Sequence, residues 1–181
     1  MKSIITLHNR VFAALERLAP VLLPTLARLV FAGVLVGYFW ASATTKLGDR
    51  VFNPSDGAYA QIFPRAFEAV GYNSGQLGLW NWLVVTLGTY TEFLLPLLIV
   101  IGLFTRLAAL AMIGFVVLQS LTDIFGHGAD AATIGQWFDR APDGLILDQR
   151  AFWLLLLCGL VLQGAGPISV DRALRQRMAA L

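Results

Sequence analysis

This 181-residue chain has little charge, almost no cysteine and only two histidines. Charged residues make up 13% of it, where a soluble domain is nearer a quarter. The single cysteine, Cys158, excludes a self-contained thiol–disulfide exchanger, which needs a second thiol to cycle. It falls inside an apolar run and reads as a small buried hydrophobe. His8 and His127 fall on opposite sides of the topology derived below, so they cannot clamp one haem. One histidine with scattered aspartates has no diagnostic ligand spacing, and no metal site is expected. Phosphate loops, dinucleotide fingerprints and nucleophile elbows are absent too. A net charge of +2 is too small to suggest a nucleic-acid partner.

What the chain has is long apolar runs: 57% of it is hydrophobic and its mean hydropathy is +0.71. Four stretches approach the length of about 20 residues that crosses a bilayer: Leu22–Ala43, Leu79–Phe104, Leu107–Phe125 and Ala151–Ile168. The runs are continuous rather than alternating, which argues against a β-barrel. The fold expected is an all-α bundle of four transmembrane helices, and residues 1–181 form one membrane domain.

Four spans place both termini on one side. Lys2, Arg10, Arg17, Arg106, Arg172, Arg175 and Arg177 fall there; Lys46, Arg50, Arg65, Arg140 and Arg150 fall on the other. The excess of basic residues assigns the termini to the cytoplasm. Trp40, Trp80, Trp82, Trp137 and Trp153 are expected at or beyond the opposite face, as an interfacial belt. The first 20 residues lack a cleavable leader's apolar core. Ile4, Ile5, Leu7, Val11, Phe12, Leu15 and Leu18 have helical spacing and predict a short amphipathic helix on the membrane surface, ended before Pro20. In the first long loop Pro64 opens and Gly71 closes a second short helix. "GVLVG", Gly33 to Gly37, permits close helix approach and is expected to pack within the bundle.

The informative anomaly is Glu92, deep in the second span. A carboxylate at that depth costs roughly 2.5–3.5 kcal/mol on insertion scales. Pro96 removes the helical partner of its carbonyl, and Gly88 lies one turn earlier on the same stripe with room for a neighbour. Gly88 and Glu92 are thus the candidate lining of a ligand pocket. Arg28, inside the first span, is the expected partner of Glu92, and Lys46 follows on Arg28's helical face. A second constellation is expected at the mouth opposite the termini, where Lys46, Asp123 and His127 approach Gln119. The aspartates of the third loop and Trp137 offer a docking surface.

Arg28, Lys46, Glu92, the "GLFTR" turn carrying Arg106 and "GPISVDRAL" after the fourth span together resemble the DoxX family, over about residues 22 to 175. The resemblance implies a small four-helix bacterial inner-membrane protein tied to redox systems; some relatives are small subunits of thiosulfate:quinone oxidoreductase. Nothing in the chain carries an electron by itself, so no intrinsic cofactor is expected and a quinone or a protein partner must supply that chemistry. The reading is a redox-associated subunit linking a soluble or outer-face partner to the quinone pool, with Glu92 and Arg28 at its core. The alternative is a non-catalytic anchor or assembly scaffold for a redox or metal-handling system. A homo-oligomer is compatible with either. A transporter is disfavoured, because 181 residues lack the repeated broken helices of such folds.

Overall fold

The computed structural model describes residues 2–180. Four helical stretches in it are long and apolar enough to cross a membrane: Ser3–Thr44, Leu79–Ile101, Thr105–Gly126 and Leu145–Gln163. The expected all-α, four-span bundle is what the chain forms.

The first stretch comprises α1 (Lys2–Phe31), one π-helical turn (Ala32–Val36) and α2 (Gly37–Thr44). No helix ends before Pro20: α1 runs through both Pro20 and Pro24. Each proline removes a single backbone bond, too little to stop a long run of good helix formers. At 42 residues, or about 63 Å at 1.5 Å per residue, the stretch is about twice the hydrocarbon thickness. Its packing begins near Pro24; from Ile4 to Leu23 nearly every side chain is exposed.

After α2 a short hairpin, β1 (Leu47–Arg50) with β2 (Asn53–Pro54), precedes α3 (Asp56–Ile62) and α4 (Pro64–Ala69). Pro64 opens α4 and Gly71 follows it in the left-handed conformation (φ +63°), as expected. Gly48 is required in the hairpin, because a Cβ there would meet the carbonyl oxygen of Asn53 at 2.1 Å. Helices α5 (Leu79–Ile101) and α6 (Thr105–Leu121, continued by a π-helical turn to Gly126) form the tight antiparallel pair. A short α7 (Ala131–Ile134) lies in the third loop, where Asp130 caps it. Another π-helical turn, Leu145–Gln149, leads into α8 (Arg150–Gln163), and α9 (Val170–Met178) closes the fold. The fourth span therefore starts earlier than Ala151 and stops short of Ile168, because Gly164 (φ +82°) and Gly166 (φ +75°) end the helix.

Phe31, Leu35, Phe39, Ile99, Met112, Val116, Leu157 and Leu160 fill the core where α1, α2, α5, α6 and α8 meet. Gly33 and Gly37 take no part: a Cβ at either would have nothing within 4 Å, so the GxxxG face points away from the bundle. Cys158 is likewise exposed rather than buried. Trp40 lies at the depth of Phe93, to whose carbonyl its indole N–H donates (3.2 Å), and Trp153 packs against Tyr38 and Phe39.

Candidate functional site

Glu92 does not pair with Arg28. Its partner is Lys46, whose Nζ donates to both carboxylate oxygens at 3.0 and 2.9 Å. Both residues are 4% exposed. The local fold explains the pairing. α2 ends at Thr44, and the Lys46 N–H turns back to the carbonyl of Ala43 (3.0 Å). The lysine side chain then lies back along its own helix and also donates to the hydroxyl (2.6 Å) and carbonyl (3.2 Å) of Ser42. Its donors are fully used, and neither charge is left uncompensated in the low-dielectric interior.

Arg28 lies at the other end of the bundle. Its guanidinium donates to the carbonyls of Ile99 (2.9 Å), Val100, Ala165 (2.9 Å) and Ile168. Ile99 and Val100 belong to the last turn of α5, where helix carbonyls have no intrahelical partner. Depth decides the outcome. Residues before Pro24 lie outside the bundle, so Arg28 enters near its terminus-side end, whereas Glu92 is nine residues inside α5 from Ile101. Gly102 makes the clamp feasible: its left-handed φ of +72° ends α5, and a Cβ there would stand 2.9 Å from the Arg28 guanidinium carbon. Asp171 of α9 completes this end, accepting from the N–H groups of Phe104 (2.8 Å) and Thr105 (3.0 Å) at the start of α6. Partial burial works against ionisation of Asp171, but those N–H groups and the charge of Arg175 outweigh it and hold the carboxyl below its ordinary range. Arg106 donates to the carbonyl of Leu162 (3.2 Å), tying α6 to the end of α8.

The expected second constellation separates into three contacts. Asp123 pairs with Arg150 at 2.7 Å. His127 Nε2 lies 3.0 Å from the carbonyl oxygen of Gln61. Gln119 donates to the Tyr38 hydroxyl at 2.7 Å. Arg150 is the residue that the sequence reading missed. It is 2% exposed and also donates to Ser120. The available signal was position: Asp123 near the end of one span faces Arg150 at the start of the next antiparallel one. Among the described residues, no group of three or more metal-ligating side chains comes together.

One cleft brings Lys46, Gly88 and Glu92 together; Arg28, Asp123 and His127 do not line it. It has a volume of about 520 Å³ and lies between α5 and α6, with Gln61 and Ile62 of α3 over one end. Lys46, Glu92 and Ser42 are among its lining residues, and Gly88, Gln119 and Thr122 border it as well. Gly88 lies under α3: a Cβ there would make an ordinary van der Waals contact with Ile62 Cδ1 at 3.4 Å. A smaller void of about 10 Å³, room for one water, lies on the hairpin side of Lys46 beside Tyr90 and Thr89.

The arrangement is that of a multi-pass helical membrane protein with a buried lysine–glutamate pair facing a cleft between two candidate membrane-spanning helices. A sequence model of the DoxX family matches residues 23–127, more than half of the chain and a stretch that includes Arg28, Lys46, Glu92 and Arg106; the chain belongs to that family. No curated protein and no solved structure gives a significant match.

Proposed function

We propose that the protein is a redox-associated membrane subunit whose α5–α6 cleft receives the head group of a quinone, linking a protein partner on the loop side to the quinone pool. The observation that carries this reading is the Lys46–Glu92 pair on a cleft of about 520 Å³ within the membrane-spanning region. That volume is in the range of small-molecule sites, roughly 300–1,000 Å³. An ion pair needed only for helix register could be enclosed entirely; this one borders open space.

The residues fit such a ring. The cleft is mostly apolar, with a few polar groups from four elements: Ser42 and Lys46, Gln61, Thr91 and Glu92, and Gln119 with Thr122. The Gln119 amide oxygen is buried and lacks a protein partner, so a turn of its side chain would offer an acceptor to a ligand hydroxyl. When bound, a quinone would supply the two-electron, two-proton couple that no side chain here provides. Glu92 would hold or release a proton beside the ring, Lys46 would compensate the charge left behind, and the void under the hairpin would connect Lys46 to water on the loop side. Arg28 has no role at the ring, because its donors are committed to backbone carbonyls at the opposite end. The reading also places the protein in a bacterial inner membrane with cytoplasmic termini, supported by seven basic residues against five.

Glu92→Gln tests it. The amide preserves size and can still accept from Lys46, but it has no titratable proton. Folding should survive while quinone-linked turnover with the native partner falls by about a hundredfold, the lower end for loss of an acid–base group. Wild-type turnover in the Gln variant would leave the glutamate structural and return the protein to the scaffold class.

A further inference from the structure

We infer that the cleft is entered sideways from the bilayer between α5 and α6, and that Gly114 forms the passage for the ligand's hydrocarbon tail. The inference rests on the quinone reading above and adds the route by which a membrane-dissolved ring with its tail reaches the site.

The rim of the cleft carries the argument. Leu87 is 58% exposed and Leu118 66% exposed, both within spans, so the surface they share faces hydrocarbon. Ala111 and Gly114, on the α6 wall of the cleft, are exposed as well. Helices α5 and α6 run antiparallel from the turn at Gly102. Glu92 is nine residues from Ile101, and Gly114 is nine residues from Thr105, so the two stand at the same depth. At that level the α6 wall has no side chain, and a Cβ on Gly114 would meet nothing within 4 Å. The gap therefore leads from the polar floor at Glu92 and Lys46 directly to lipid. The other direction is covered by Gln61 and Ile62. Glycine is a poor helix former, roughly 0.8–1.0 kcal/mol worse than alanine, and packing does not require it at this position. Open space at Gly114 is used if a chain lies there.

Gly114→Leu should fill the passage without disturbing the fold, because there is room for the side chain and leucine favours the helix. Binding would be measured on purified protein in nanodiscs, using one benzoquinone ring bearing a decyl tail and the same ring bearing only a methyl group. Affinities are compared at equal mole fraction in the bilayer, with melting temperature recorded for each variant. The expected result is a loss of about tenfold for the decyl compound, near 1.4 kcal/mol, with the methyl compound changed by less than about twofold. Gly114→Ala should fall between wild type and Gly114→Leu. Equal loss for both compounds, or none for either, overturns the tail passage while leaving a quinone site in place. An ordinary acyl chain occupying the gap would give that second pattern. If the wild-type protein binds neither compound, the quinone reading fails and takes this inference with it.

Discussion

Lys46 and Glu92 compensate each other's charge, and the hydroxyl and carbonyl of Ser42 share the remaining ammonium donor. Each residue alone would be a charge stranded in a low-dielectric bundle, so breaking the pair from one side should cost more than removing it entirely. Glu92→Ala is expected to destabilise by about 3–5 kcal/mol, and the double variant with Lys46→Ala by distinctly less. Thermal unfolding of the four proteins in one detergent measures this; additive losses would mean that the residues do not couple. The cost of a carboxylate in an apolar run singles out Glu92 in the sequence, and Lys46 stands on Arg28's helical face. Arg28 reads as the partner in the sequence because the apolar run from Leu22 onward looks like span, which places Arg28 deeper than it lies. Hydropathy does not reveal where packing begins, and Leu22 and Leu23 are apolar yet outside the bundle.

Among the elements, the turn from α5 into α6 is the most tightly determined. Gly102 combines a left-handed backbone with contact to Ser169 and Arg28, while Gly37 has open space around it. Gly102→Ala should therefore cost about 1–3 kcal/mol, from backbone strain and displacement of the arginine clamp. Gly37→Ala should be neutral or stabilising by about 0.5–1 kcal/mol, from helix propensity alone. Chemical unfolding in mixed micelles, followed by circular dichroism, checks both; a large loss at Gly37 would show that its face is covered by something. The four helices were readable from their apolar runs, and α4 from Pro64 and Gly71. Gly33 and Gly37 were not, because a small-residue pattern marks a smooth face without saying which way it points. The hairpin and α3 also escaped notice, since they are defined by contacts such as that of Gly48 with Asn53 rather than by hydrophobic period.

At the scale of the whole molecule, the four spans put the loop carrying α3 and α4, the loop carrying α7 and the mouth-side ion pair of Asp123 with Arg150 on one face. The termini, the Arg28 clamp and Asp171 lie on the other. The proposed orientation gives a direct expectation. In a Cys158→Ser background, Ala131→Cys should react with an impermeant thiol reagent added to intact cells, and Ala180→Cys should not. The reverse pattern would invert the assignment.

On the proposed function, the α5–α6 cleft holds a quinone against Lys46 and Glu92. Photolabelling in native membranes tests it most directly, using an azido-quinone followed by peptide mapping. Adducts are expected in two stretches only, around Gly88–Glu92 on α5 and Ala111–Leu118 on α6, with labelling suppressed by unmodified quinone and reduced by Gly114→Leu. Adducts spread over the lipid-facing surfaces, or insensitive to competing quinone, would contradict it.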